Sequence, residues 1–363
     1  MRDSSRKHSA NQSFHFLIFH KVIVPLFAAA ATLLSLASLL WAQSTPDTTW
    51  LVTIFLPPKL VAGQSATLAV FGADGKLAAG VTVETGKEQR VVTDTTGRAS
   101  FTAPANGDLV IAKASGRAAA ALLDLDSPAG DSQAISLAPV ISQKDSFSIC
   151  GGRFRGEADA NRVKINEERA LILAASPECL MILPGPKVTP GPAVISVEIG
   201  EAHWRAATTV VSLNFEPPQP PLMPEKKSKL LVRAEGTEQP LEIVAENQTP
   251  GVLSFLRGDV QRLRTSGGAR NIAAIDVQAI RSGDFAFHAR LVPPADPGCA
   301  ERYLRAARAL APRELEHRLA GLADRLARHP HDAARVQREL ERIISSTIAG
   351  DLRTLLESAD AAL

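Results

Sequence analysis

Aromatic side chains are scarce in this 363-residue chain, which has three tryptophans, one tyrosine and 13 phenylalanines. Trp41 belongs to an N-terminal apolar run, so Trp50, Trp204 and Tyr303 are the flat polar-edged rings left to the remainder. Sugar-binding modules stack saccharide rings on such faces, and this count argues against one. Recognisable catalytic sets are missing too. There is no Gly-x-Ser-x-Gly elbow, His-Glu-x-x-His pair, phosphate loop or dinucleotide glycine fingerprint, so no catalytic, cofactor-binding or metal-binding residue is assigned. Glu314 and His317 form half of a di-iron carboxylate motif, and one half does not build that site. His329 and His331 beside Asp332 read as a loop between helices, and Asp159 with Asn161 supplies too few oxygens for calcium. The expectation is a non-enzyme without cofactors.

Excess charge is equally absent. Residues 1–42 hold four of the 40 basic and one of the 38 acidic residues, leaving 36 against 37 and a net charge near −1. The overall +2 therefore belongs to the leader and gives no ground for nucleic-acid binding. Cysteines number three: Cys150, Cys179 and Cys299. In an oxidising compartment an odd count suggests one bridge and one leftover thiol, and Cys150 with Cys179 is the expected pair because both fall in one module. A loop of about 30 residues closed in this way would contribute about 3–4 kcal/mol. The competing expectation is three buried thiols acting as small hydrophobes.

What is present begins with an address. Arg2, Arg6, Lys7 and Lys21 precede an uncharged stretch from Val22 to Ala42, the layout of a secretory signal. Ser35 and Ala37, or Ala42 before Gln43, offer cleavage sites; the same stretch is about long enough to span a bilayer as a retained anchor. Either way the bulk of the chain is expected outside the cytoplasm, in the periplasm or at the cell surface, touching a membrane only through an uncleaved N-terminus.

After the leader, short alternating apolar runs recur about every ten residues, which predicts a mainly β fold of tandem sandwiches. Residues 49–127 form the first module. Within it Val92-Thr93-Asp94-Thr95-Thr96-Gly97-Arg98-Ala99-Ser100-Phe101 predicts a tight reversal, with Asp94 bonding amides two residues on and Gly97 at positive φ. Together with Gly80-Val81-Thr82-Val83 this resembles the bacterial Ig-like and carboxypeptidase-regulatory-like (transthyretin-type) modules, where the element is a structural hairpin. Residues 135–213 form the second module. Ala138-Pro139-Val140-Ile141, Phe147-Ser148-Ile149-Cys150-Gly151-Gly152-Arg153-Phe154, Val163-Lys164-Ile165-Asn166, Leu180-Met181-Ile182-Leu183-Pro184 and Gly191-Pro192-Ala193-Val194-Ile195-Ser196-Val197 follow in order. This order resembles an IPT/TIG domain, an Ig-like fold. The two cysteines lie outside that family's general pattern, and a bridge between them is expected to pin the sandwich. Some members bind DNA; no arginine cluster here supports that role.

Five prolines between Pro217 and Pro224 predict a polyproline spacer over residues 214–229, able to span about 30–40 Å. A third β-rich module without family resemblance is expected over 230–294. Its loop Thr265-Ser266-Gly267-Gly268-Ala269-Arg270-Asn271 is a hairpin connection or, less simply, a binding loop. From 298 to 363 the chain turns helical, with eleven arginines against ten acids and a stripe through Leu315, Leu319, Leu322 and Leu326, then Val336, Leu340, Ile343, Thr347 and Leu352. Pro312 suits a first helical turn and Asp332 a cap. The expectation is a helical hairpin or bundle of two or three helices, packing on itself or on a partner. The functional expectation is a scaffold or adhesive protein contacting envelope or surface proteins. The alternative is an inner-membrane-anchored subunit of an envelope assembly that docks through its helical tail.

Overall fold

The computed structural model describes residues 52–86, 89–125, 135–216, 218, 222–292, 296–348 and 350–363. The signal or anchor at 1–42 lies outside the described residues. Among those residues no helix is long and apolar enough to cross a membrane. The fold is mainly β, sandwich modules followed by a helical tail.

The first module holds β1 (Thr53–Phe55), β2 (Lys59–Val61), β3 (Ser65–Phe71), β4 (Thr82–Thr85), β5 (Gln89–Val92), β6 (Arg98–Thr102), β7 (Leu109–Ala114) and β8 (Arg117–Asp124). One sheet places β3 between β1 and β6; the other runs β2-β8-β7-β4-β5, with β2 parallel to β8. Alternation drives this: β7 reads half-buried, buried, half-buried, buried, so Val110 and Ala112 enter the core while their neighbours face outward. The reversal before β6 forms as its residues dictate. Asp94 accepts bonds from the Thr96 amide (2.7 Å) and hydroxyl (2.7 Å), and Gly97 closes the turn at φ 69.

The second module holds β9 (Ser136–Leu137), β10 (Val140–Ser142), β11 (Phe147–Cys150), β12 (Arg162–Ile165), β13 (Glu168–Arg169), β14 (Leu171–Ala175), β15 (Cys179–Leu183), β16 (Gly191–Ile199) and β17 (Ala202–Glu216). Its sheets run β9-β11-β15-β14 and β13-β12-β16-β17, with β10 parallel to β17. In immunoglobulin lettering these are A-B-E-D and C′-C-F-G-A′. Among the described residues the first module repeats the order without a D strand.

The joints between modules are made by strands, and one of them departs from the sequence pattern. Ala175 of β14 pairs with Thr67 of β3, so one seven-stranded sheet runs through the first two modules. The proline-rich run is no spacer between modules. No strand breaker stands between Ala202 and Glu216, so β17 continues past Leu213, and its last residues pair with β18 (Lys227–Glu235), Glu216 facing Leu231. The prolines therefore fall in the connection between two neighbouring strands of one sheet.

The third module accordingly starts inside β17. It adds β18, β19 (Glu242–Asn247), β20 (Leu253–Phe255), β21 (Val260–Arg264), β22 (Ile272–Ala279) and β23 (Phe287–Leu291), in sheets β17-β18-β22-β20 and β21-β19-β23. Residues 265–271 do not close a hairpin; they cross from β21 in one sheet to β22 in the other. Their polar groups are consumed locally. Asn271 accepts from the Gly267 amide (2.8 Å) and donates to the Gln239 carbonyl (2.7 Å), while the Ser266 hydroxyl donates to the Arg270 carbonyl (3.0 Å).

Among the described residues the tail forms four α-helices where two or three were expected: α1 (Pro297–Leu310), α2 (Arg313–Arg328), α3 (Ala333–Ser346) and α4 (Asp351–Ala361). Asp296 caps α1 through the Cys299 amide. Pro312 is the cap residue of α2 rather than part of its first turn, and Asp332 occupies the cap position of α3 without a side-chain bond. The apolar stripe is buried: Leu304, Leu319, Leu340 and Leu355 are fully enclosed, each stabilising the packing by about 2 kcal/mol. What covers it is partly the chain itself. Ala118 and Ala120 of β8, with Leu109 and Ile111 of β7, join the helical core, so the tail packs on the outer face of the first sandwich.

Candidate functional site

The joint between the first two modules concentrates the chemistry. Arg98 opens β6 directly after the turn fixed by Asp94, and its side chain crosses into the second module. There Nη2 donates to the Ile172 carbonyl (2.6 Å) and Nη1 meets Asp159 Oδ1 at 3.0 Å. Arg98 is 8% exposed and its Nε has no partner among the described residues. Around it lies a cleft of ≈ 420 Å³, walled by Val163, Ile172, Leu183 and Pro184 and carrying the exposed Arg169 at its rim. Thr67 and Ser176 add bonds across the same seam, to the carbonyls of Gly156 (2.7 Å) and Lys59 (2.6 Å). Asp159 is a counter-ion here and Asn161 a loop brace, its amide bonding the carbonyls of Arg155 (2.8 Å) and Glu157 (2.9 Å).

Magnitudes rank the two partners of Arg98. Asp159 has its side chain 84% exposed, and an exposed ion pair contributes about 0–1 kcal/mol. The Ile172 carbonyl is part of the buried seam, and orphaning it costs about 1–3 kcal/mol. Arg98→Ala should therefore lower unfolding stability by about 2 kcal/mol, whereas Asp159→Ala should change it by under about 0.5 kcal/mol. Denaturant titration of both variants checks the contrast, and equal losses would contradict it.

Cys150 and Cys179 are joined in a disulfide. They face each other across β11 and β15, strands of one sheet. The bridge thus staples two neighbouring strands and does not tie one sheet of the sandwich to the other. Cys299 is free; burial pushes its thiol above the ordinary range, against the lowering influence of Arg302. Arg302 Nη2 lies 2.8 Å from the sulfur, and Nη1 donates to the Pro58 carbonyl (3.1 Å), holding α1 on the first module. Glu314 and His317 are both exposed on α2, and His329 and His331 are exposed beside Asp332. Among the described residues no three His, Cys, Asp or Glu side chains gather closely enough to share a metal ion.

The sequence reading did not find Arg98 or Arg302. Each looks like a surface arginine in its own element, and only the neighbouring module makes it buried. The same holds for Asp351 and Asp360 on α4, whose carboxyls burial raises above the usual range. Asp360 sits where α4 meets the third module, with Arg262 donating to its backbone carbonyl (2.9 Å). A carboxyl raised on folding adds stability below its unfolded pKa, and that stability is lost as pH rises through the folded value. The tail should therefore hold more tightly in mild acid than at neutral pH, and Asp360→Asn should raise neutral-pH stability and flatten this dependence. Thermal unfolding followed from pH 4 to pH 7.5 tests it; a parallel pH slope in the variant would refute the assignment.

No protein-family model and no curated sequence matches the chain. Solved structures match the chain only at low superposition. The plexin A4 extracellular region, domains 1 to 8, is 10% identical, with 65% of this chain and 31% of that one covered at a TM-score of 0.26. The N-terminal four Ig domains of Dscam1 isoform 6.9 are 10% identical over 64% of this chain and 73% of theirs, at 0.22. The titin I9–I11 tandem is 12% identical over 66% of this chain and 95% of its own, at 0.18. The chain spans less than a third of the plexin regions it matches. None of these superpositions reaches 0.5, so the immunoglobulin-like order stands on the strand pairings themselves.

Proposed function

We propose that this chain is an exported, non-catalytic scaffold that presents surfaces for protein–protein contact at the cell surface or in the periplasm. The observation that carries the reading is the set of fixed joints. A sheet shared by the first two modules, a strand shared by the second and third, and a tail returning to the first leave no joint resting on a linker alone. Such an arrangement holds surfaces at set angles, which suits assembly more than turnover. The IPT/TIG resemblance of residues 135–213 belongs to the same proposal, as do export by the N-terminal leader and the absence of catalysis. The alternative, docking of an anchored subunit through the tail, has a weaker footing because the apolar face of the helices is already covered; only their charged outer face is free.

Fractionation of the producing cell, followed by crosslinking on intact cells with the tagged chain, tests the proposal. The expected result is an extracytoplasmic chain crosslinked to an envelope or surface protein. A chain confined to the cytoplasm, or one with no crosslinked partner, would overturn it.

A further inference from the structure

In the first two sandwiches, the strand at the F position has neighbours on both sides: β7 lies between β4 and β8, and β16 between β12 and β17. Among the described residues the equivalent strand of the third module, β23, pairs with β19 alone. Among the described residues the next element after β23 is α1, where the other modules supply a G strand. The phase of the ladder is set by Val292, whose amide donates to the Glu242 carbonyl, and by Gln248, whose amide donates to that of Ala286. Antiparallel pairs alternate between bonded and non-bonded. The amides and carbonyls of Phe287, Ala289 and Leu291 therefore point away from β19, and among the described residues they have no main-chain partner.

Side chains at this edge are unfinished in the same way. Phe287, Ala289 and Leu291 face the core of the third module, yet Phe287 and Leu291 remain half-buried. Phe215 of β17 reaches across to the Phe287 ring from the opposite sheet, and the exposed Phe285 stacks beyond it. A residue on each side of Ala289 faces outward, namely His288 and Arg290. His288 is held by Asp145 at 3.2 Å, whereas Arg290 makes no ion pair among the described residues. β10 passes beside β23 without main-chain pairing and Val140 joins the same core, so the edge is flanked but unpaired; an unpaired edge is a template for another strand, and proteins normally blunt or cover it.

We propose that β23 accepts an extended segment of a partner protein as the missing G strand of the third sandwich. Main-chain bonds to Phe287, Ala289 and Leu291 hold it; its inward residues are apolar and close over Phe215, Phe287 and Leu291, and its outward residues include an acid facing Arg290. A second copy of β23 fits less well, because an antiparallel self-pairing about Ala289 sets His288 and Arg290 against one another. The proposal rests on reading the chain as an interaction scaffold and names the surface that does the binding.

Hydrogen exchange on the full chain tests it, with a short synthetic peptide alternating valine and glutamate as the probe. A peptide of the same sequence, N-methylated on the amides that would pair, is the control. The free chain should exchange the Phe287, Ala289 and Leu291 amides quickly, and the valine–glutamate peptide should slow all three while the N-methylated one leaves them unchanged. Arg290→Glu should weaken binding of that peptide about tenfold, the equivalent of one charged contact. Slow exchange at these three amides in the free chain, or binding of either peptide without protecting them, overturns the edge as the site. The second of those outcomes leaves the scaffold reading standing, since binding would then occur elsewhere.

Discussion

Replacing Cys150 and Cys179 together by alanine is expected to lower unfolding stability by about 3–4 kcal/mol, the loop-closure contribution for a cross-link of this span. The two residues are separated by 29 positions, and β12, β13 and β14 all lie between them. In the unfolded chain the bridge confines that whole stretch. In the folded chain it fastens β11 to β15, whose pairing is also held by main-chain bonds. The native sheet therefore has little to lose geometrically, and the effect should fall on the unfolded state. Urea titration of the oxidised chain, the reduced chain and the double variant separates these contributions. Equal stability of the reduced chain and the double variant, both well below the oxidised chain, is the expected pattern. A double variant as stable as the oxidised chain would refute the account.

Gly156→Ala is expected to be nearly as damaging, at about 3 kcal/mol, the upper end of what forced overpacking costs. A Cβ built at Gly156 would lie 1.9 Å from the Ser65 carbonyl oxygen and 2.6 Å from its carbon. Both obstacles are backbone, so no side-chain rotation relieves the clash. The seam must open instead, and with it the Thr67 bond to the Gly156 carbonyl and the Arg98 bond to Ile172. The signature to look for is a loss of cooperativity as well as stability. The first sandwich and the second should melt together in the parent chain and apart in the variant. A single unshifted transition in calorimetry would show that the seam tolerates the methyl group.

Much of the fold could be read from local pattern. The reversal at Asp94–Gly97, the strands β10, β11, β12, β15 and β16, and the stripe from Leu315 to Leu352 depend on residues near one another in the chain. Alternation and periodicity report on such neighbours directly. What escaped was set by distant contacts. Five prolines near 217 signal an interruption, but nothing local says whether the strands on either side go on to different modules or pair with each other. Val210 to Phe215 carried a hint, since β-forming residues run on past Leu213 without a break. Arg98 and Arg302 look like solvated cations until another module encloses them. The Cys150–Cys179 pair was the expected one, but its placement within one sheet depended on which strands became neighbours.

The placement of the tail bears on the order in which the chain must fold. Ala118 and Ala120 of β8 wait for helices that begin at Pro297, more than 170 residues beyond Asp124. Until those helices arrive, the first sandwich carries an uncovered apolar patch. Contacts between such distant segments form slowly because the intervening loop must close first. A chain interrupted between Asp124 and α1 would thus leave the outer face of β7 and β8 uncovered and prone to association.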